Sequence, residues 1–308
     1  MANKILITGS SGLVARFLIK ILLKKNYIIY AASSNVLATK KLYKDDENLI
    51  ILSNEEVFDN KIIKKVNFIV HCAFTRKNDM TEIVKSLDLT YKLLKFWNEE
   101  NSNVGFINIS TRSVYAEPNE NELNTETSII KPSGYIGLAK YASELMTDLA
   151  SNSKKYTSLR LSSVNELKND NNMVRPMNVF VENMIERENI NIVSGNQIMS
   201  YIDPRDVADA IYRLLLIDPK KWKPVYNIGT GWLCTKKLLE IANLVVKIGK
   251  ENFNLLPVKI IIEEKDLQMH AGLDISRLEK DTGWKPSYTL ENMISDLYLM
   301  YLKGEDND

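Results

Sequence analysis

Residues 4–15 read KILITGSSGLVA, and the reading of the whole fold starts there. Lys4 to Thr8 form a short apolar run of strand length. Gly9-Ser10-Ser11-Gly12 are small turn formers, and from Leu13 the apolar residues recur at helical spacing to residue 23. Strand, small-residue turn and helix in that order make a βα unit. Such a turn lets backbone N–H groups approach a pyrophosphate, and the helix N-terminus behind it adds partial positive charge. Gly9, Ser11, Gly12 and Leu13 are therefore candidate contacts. The spacing is Gly-x-x-Gly-x-x-Ala rather than Gly-x-Gly-x-x-Gly, so an ordinary βα turn is the competing explanation.

Working outward, the pattern repeats. Strands are expected at residues 27–32, 49–52, 67–71, 104–110 and 157–162, with helices at 60–65, 81–99 and 140–149. This alternation predicts an α/β, Rossmann-like doubly wound parallel sheet over residues 1–165. After Ser163 the rhythm breaks. A polar, Asn-rich stretch (165–177) leads to expected helices at 179–187, 204–216, 235–246 and 290–301, and strands at 191–193, 225–228 and 258–262. No Pro- or Gly-rich linker intervenes. Residues 166–199 and 233–308 are expected to form a smaller α/β C-terminal lobe for substrate, with parts of 200–232 returning to the first domain.

Charge narrows the function. Lys+Arg 40 against Asp+Glu 39 leaves +1 over 308 residues, which argues against nucleic acid or membrane as a partner. Two cysteines, Cys72 and Cys234, fit neither a zinc site nor a disulfide framework, so no metal is expected and a reducing, cytoplasmic setting follows. Repeats and low-complexity tracts are absent.

At the end of the second expected strand, an acidic residue would hold the ribose 2′-hydroxyl of NAD. The chain instead has Ala31-Ala32-Ser33-Ser34-Asn35, with Lys40 and Lys41 beyond. Hydroxyls and cations accept a 2′-phosphate where a carboxylate repels it. NADPH is therefore the expected cofactor, with NAD the alternative and a merely solvated loop the plain reading.

Seven segments, in order along the chain, resemble the extended short-chain dehydrogenase/reductases, the NAD-dependent epimerase/dehydratase family. They are residues 8–15, 70–73 (VHCA), 110–116 (STRSVYA), 136–140 (IGLAK) with Glu144, 201–210 (YIDPRDVADA), 225–231 (VYNIGTG) and 273–286. The resemblance implies a dinucleotide held by the sheet, with Ala73 and Lys140 among its contacts, and a nucleotide-diphosphate sugar held by the second lobe. It also implies a homodimer, for which the helices at 81–99 and 140–149 are candidates.

One position departs from the family. The family's Tyr-x-x-x-Lys puts two side chains about 40° apart on one helix face. Lys140 is present, but Ile136 occupies the tyrosine position and Tyr135 lies one place earlier. Five residues correspond to about 140° round a regular helix, so Tyr135 faces away unless Pro132-Ser133-Gly134 distorts the helix start. The remaining polar partner is Thr111, aligned with the family's active-site Ser/Thr, which hydrogen-bonds a substrate oxygen but is a weak acid unaided.

The same loop bears on reaction type. Resembling 4,6-dehydratases carry Asp-Glu after this threonine, where this chain has Arg112-Ser113, which argues against dehydration. A missing phenol and a missing ribose carboxylate lean towards NADPH-dependent reduction of a 4-keto-6-deoxy nucleotide sugar, dTDP-linked first. A 4-epimerase and a catalytically silent dinucleotide-binding protein are the rival readings. For the substrate, Tyr201, Asn178, Lys265 and Arg277 are candidate contacts, while the arginine often found two places before the family's aromatic is Met199 here.

Overall fold

The computed structural model describes residues 3–59, 61–100, 103–151, 155–166, 175–267 and 269–303. In chain order the first half runs β1 (Lys4–Thr8), α1 (Leu13–Lys24), β2 (Ile28–Ser33), α2 (Val36–Lys40), β3 (Leu49–Ser53), α3 (Asn54–Asp59), β4 (Phe68–His71), α4 (Met80–Glu100), β5 (Gly105–Thr111), α5 (Gly134–Ala150) and β6 (Tyr156–Leu161). The second half runs β7 (Ser163–Val164), α6 (Pro176–Glu186), β8 (Ile190–Val193), β9 (Ile198–Ile202), α7 (Pro204–Leu215), β10 (Val225–Ile228), β11 (Thr235–Lys237), α8 (Leu238–Phe253), β12 (Ile260–Glu263), α9 (Ser276–Thr282) and α10 (Leu290–Lys303).

Seven strands form one sheet in the order β10-β6-β5-β4-β1-β2-β3, and every pairing in it is parallel. Its strands read as near-continuous apolar runs because both faces are covered. Ile5 and Ile7 face a core shared with Leu18, Leu22, Ile211 and Leu214 of α1 and α7. Leu6, between them, faces the opposite core with Leu93, Leu94 and Trp97 of α4. A third core unites α6, α8 and α10 through Val181, Met184, Ile241, Val245, Ile294 and Leu297. Beside it lie the three-stranded sheet β11-β9-β7 and the parallel pair β12-β8.

Several boundaries differ from expectation for local reasons. The helix expected over residues 60–65 is α3, which lies earlier. Lys61 takes a left-handed φ of 49°, and the chain continues only as the 3₁₀ turn Ile62–Lys65; residue 60 lies outside the described residues. The expected helix 235–246 opens instead as β11, antiparallel to β9, and α8 begins where the Glu240 carboxylate accepts the Lys237 N–H at 2.8 Å. Helix α5 starts six residues before the expected 140. Of the polar stretch 165–177, residues 167–174 lie outside the described residues. Among the described residues, no helix is long and apolar enough to cross a membrane.

Candidate active site

The chain leaves β1 towards β2 and β3 on one side and later returns to β4 on the other. The carboxyl ends of β1 and β4 therefore form the switch point where α/β sheets bind ligands. The glycine turn sits there. Gly9 has φ +66°, and a Cβ on it would stand 2.7 Å from the Ala73 backbone, so both conformation and space demand glycine. Gly12 N–H donates to the Gly9 carbonyl at 2.9 Å, and Ser10 is tied by its N–H and hydroxyl to the Ala32 carbonyl. Ser11 and Gly12 stay exposed and Leu13 half-buried. Helix α1 starts with no side-chain cap and no acidic residue in its first turn, which leaves its N–H groups for an anion. These features fit a dinucleotide pyrophosphate.

Beneath the turn, a buried polar chain fixes the geometry. Thr90 donates to the Ser86 carbonyl at 2.8 Å, so it accepts from His71 Nε2 at 2.9 Å. His71 Nδ1 then accepts the Thr8 hydroxyl proton at 2.7 Å, and Thr8 accepts the Ala73 N–H at 3.3 Å. Burial, with Lys140 nearby, lowers the His71 pKa to about 3, so the ring is neutral and positions the β4 end.

At the end of β2 the structure divides the expected cofactor contacts. Ser33 is buried and occupied: its hydroxyl accepts from Thr39 at 2.7 Å and from the Asn35 N–H at 3.2 Å. Asn35 caps α2 by accepting the Ala38 N–H at 3.0 Å. Ser34, Lys40 and Lys41 are exposed. A residue not singled out by sequence is Arg16, one turn into α1. Its Nε is buried with no hydrogen-bond partner among the described residues, and it lies near Tyr43, whose hydroxyl donates to the Ser10 carbonyl at 2.5 Å. Its place four residues after Gly12 was the available signal.

Thr111 ends β5, where its hydroxyl accepts the Ser113 N–H at 3.3 Å and reaches Ser113 Oγ at 3.4 Å. Helix α5 is clamped against this turn. Ser133 N–H donates to the Ser113 carbonyl at 2.9 Å, and a Cβ on Gly137 would stand 2.5 Å from that same oxygen. With the helix so fixed, Ile136 is half-buried and Tyr135 is 53% exposed. Lys140 is buried. Its Nζ donates to the Ile109 carbonyl at 2.6 Å and lies 4.0 Å from the Phe74 ring centroid. Burial lowers its pKa to about 7, opposed by charge at Cys72 and Glu144. Phe74 was not anticipated; nothing in its sequence context marks it.

One turn on, Glu144 takes a hydrogen bond from Ser110 at 2.5 Å and is gripped by Arg160 Nε at 3.0 and 3.2 Å and Nη2 at 2.6 Å. The Arg160 guanidinium also stacks 4.6 Å from the Tyr115 ring centroid.

On the second-lobe side, Tyr201 and Asn178 are fully buried, and Tyr201 Oη and Asn178 Oδ1 complete no hydrogen bond among the described residues. Burial pushes the Tyr201 phenol up to about 12, with Arg175 and Arg112 pulling the other way. Asn178 Nδ2 donates to the Glu166 carbonyl at 2.9 Å, and Arg175 donates to the Val164 carbonyl. Sequence reading missed Arg112 and Arg175 as cations near Tyr201. Lys265 and Arg277 stand apart from these residues. Lys265 is exposed and paired to Glu263 at 2.6 Å. Arg277 is spent on the buried Glu126 at 3.3 Å and the Val225 carbonyl at 3.2 Å, at the amino end of β10, the far end from the glycine turn. Among the described residues no cluster of His, Cys, Asp or Glu is suited to a metal.

With this geometry in place, comparison with known proteins defines the class. The model of the NAD dependent epimerase/dehydratase family matches residues 5–229, and the chain belongs to that family. No protein of curated function matches it in sequence. Among solved structures it is similar to the UDP-glucuronic acid 4-epimerase of Bacillus cereus in complex with NAD. That match has a TM-score of 0.79 at 18% identity, covering 97% of this chain and 98% of the other. It is similar also to the UDP-N-acetylglucosamine 4-epimerase of Bacillus cereus (TM-score 0.77, 17% identity, covering 100% and 99%). A third is the dTDP-glucose 4,6-dehydratase of Bacillus anthracis in complex with NAD (TM-score 0.77, 17% identity, covering 99% and 98%). At these identities the likeness is one of fold.

Proposed function

We propose that this protein is an NADPH-dependent ketoreductase acting on a 4-keto-6-deoxy nucleotide-diphosphate sugar, dTDP-linked in the first instance. The observation that carries the reading is the proton machinery beside Lys140. The family's phenol position is Ile136, Tyr135 is exposed, and Arg112-Ser113 follow Thr111 where a dehydratase needs an acid and a base. Reduction asks only for a hydride and one proton, the least demanding chemistry open to such a site. When bound, the reduced nicotinamide supplies the hydride. This chain's residues bind and orient: Gly9, Ser11, Gly12 and Leu13 receive the pyrophosphate, Ala73 lines the turn, Lys140 faces the ribose, and Thr111 holds the sugar oxygen. Ser34, Lys40 and Arg16, whose Nε has no partner among the described residues, favour a 2′-phosphate, and residues 31–35 at the end of β2 carry no carboxylate to repel it. In this reading residues 1–165 with parts of 200–232 bind dinucleotide, and 166–199 with 233–308 bind the nucleotide sugar through Tyr201 and Asn178.

Exposed apolar stripes support a homodimer: Met80, Val84 and Tyr91 on α4 with Leu138, Leu145 and Leu149 on α5, at spacings that keep each set on one helix face. Light scattering measures the mass.

The test is turnover. Incubation with NADPH and dTDP-4-keto-6-deoxyglucose should consume the reduced nicotinamide in proportion to sugar. NADPH should be preferred to NADH by at least about tenfold in kcat/KM, or ~1.4 kcal/mol. A second reading, a nucleotide-sugar 4-epimerase, draws on Lys140 itself, since an amine neutral near pH 7 can also take a proton. An epimerase would interconvert sugars with no net NADPH consumed.

A further inference from the structure

We propose that the ammonium of Lys140 is itself the proton donor to the substrate's carbonyl oxygen; this rests on the ketoreductase reading above. The other candidate donors fail. Tyr135 is turned to solvent, and the clamp of Gly137 and Ser133 on the Ser113 carbonyl keeps α5 from rotating it inward. His71 is neutral, its Nε2 proton held by Thr90 and its Nδ1 lone pair filled by Thr8. Burial pushes the Cys72 thiol up to about 12, as it does the Tyr201 phenol. The Thr111 hydroxyl has no base behind it.

Lys140 differs from all of these. Among the described residues its Nζ has one hydrogen-bond acceptor, the Ile109 carbonyl, two residues before Thr111 on the same strand. An ammonium carries three protons, so two are left for ligands. The Phe74 face, 4.0 Å from Nζ, favours the cation, while burial opposes it. The titratable groups around it are His71 and Cys72 from the β4 end, both neutral near pH 7, and Glu144 from the next turn of α5, already paired with Arg160. The result is an amine whose proton is held near neutrality, matched in strength to a donor working around pH 7.

The step balances. As hydride adds to the carbonyl carbon, the C=O electron pair moves to oxygen and forms an O–H bond with a proton from Nζ. One N–H bond breaks and leaves Lys140 a neutral amine, and solvent returns the proton after product leaves.

Three measurements test it. In the cofactor-free protein labelled with ¹³Cε-lysine, the resonance absent from Lys140→Met should titrate near pH 7; a midpoint in the ordinary lysine range, about 10.4, overturns the proposal. At saturating NADPH, Lys140→Ala should lose about 10²–10⁴-fold in single-turnover rate. Added methylammonium should restore part of that rate, whereas guanidinium, which offers the charge but is far too weak an acid to give up a proton near pH 7, should not. Equal rescue by both ions would make Lys140 a positioning residue only. Lys140→Arg, which keeps a cation near the ribose, should stay as slow as Lys140→Ala. If wild-type protein turns over and Lys140→Arg does too, the donor assignment falls and the ketoreductase stands. If wild-type protein reduces no keto-sugar nucleotide, the ketoreductase reading falls first.

Discussion

Lys140 and Glu144 lie one turn apart on the same helix, both buried, in opposite circumstances. Glu144 has Ser110, both ends of the Arg160 fork and the Tyr115 ring behind that fork. Lys140 has, among the described residues, a single carbonyl and an aromatic face. A buried charge met by an opposite charge is architecture: Glu144 and Arg160 join α5 to β6 through Nε and Nη2 of the guanidinium. A buried charge left half-satisfied is costly, and that cost is tolerable where a bound molecule supplies the missing partners. One turn of helix thus separates a structural ion from a chemical one.

The largest expected effect is on the paired side. Glu144→Leu should destabilise the fold by about 3–5 kcal/mol, because it strands Arg160 in the interior. Adding Arg160→Met should recover most of that loss. Denaturant unfolding of the three proteins checks both parts, and a single-variant loss below about 1 kcal/mol would show the pair to be no more than a surface ion pair in energy.

Next comes the turn. Gly9→Ala meets both a left-handed φ and a 2.7 Å approach to Ala73. It should cost about 1–3 kcal/mol in stability and at least about tenfold in dinucleotide affinity, since the turn can relax only by moving the N–H groups off the pyrophosphate. Calorimetric titration with NADPH reads it. Wild-type affinity would separate this turn from cofactor binding.

A pH-dependent effect isolates the half-satisfied ion. The unfolded chain holds the lysine proton to about pH 10.4, while folded Lys140 releases it near 7. Between those values the unfolded state binds more protons, so stability rises with pH, by up to about 1.4 kcal/mol per unit from this group alone. It is lost again as pH falls. Lys140→Met should be the more stable protein near neutrality and should lack that slope, as a difference between the two unfolding profiles from pH 7 to 10. His71 adds a slope of the same sign from about pH 6.5 down to about 3, which both proteins share. Identical slopes in the alkaline window would mean that Lys140 ionises as a solvated lysine does.

The sheet was legible in the sequence because its strands are apolar on both faces and separated by turn residues, and the glycine turn declared itself through Gly9 and Gly12. Boundaries were lost where one residue's backbone decided the matter, as at Lys61, or where pairing from far along the chain outweighed local pattern, as at β11. At the site, Thr111, Ile136 and Lys140 were singled out by the family resemblance of their segments. Phe74, Arg16 and Arg112 were not, since an aromatic or an arginine beside a motif has no signature until the chain is folded round it. For Lys265 and Arg277, the carboxylates they pair with, Glu263 and Glu126, were invisible as partners in sequence.

The smallest expected effect is the one that most sharpens the contrast along α5. Tyr135 is 53% exposed and five residues before Lys140, about 140° round a regular helix. Removing its hydroxyl should leave stability within about 0.5 kcal/mol, as for surface substitutions in general, and kcat within about twofold, since no general-acid contribution of 10²–10⁴ is lost. The clamp explains why the helix start does not bend to rescue the phenol: Gly137 has no room to move towards the Ser113 carbonyl, and Ser133 is bonded to that same atom. If Tyr135→Phe did lose a hundredfold or more with NADPH binding intact, α5 would have to rewind when substrate arrives, breaking the Ser133–Ser113 bond. Amide exchange at Ser133 would then accelerate on substrate binding. An unchanged rate together with a protected Ser133 amide leaves Ile136 as a deliberate apolar wall, and Lys140 as the one side chain on that face of α5 with a proton to give.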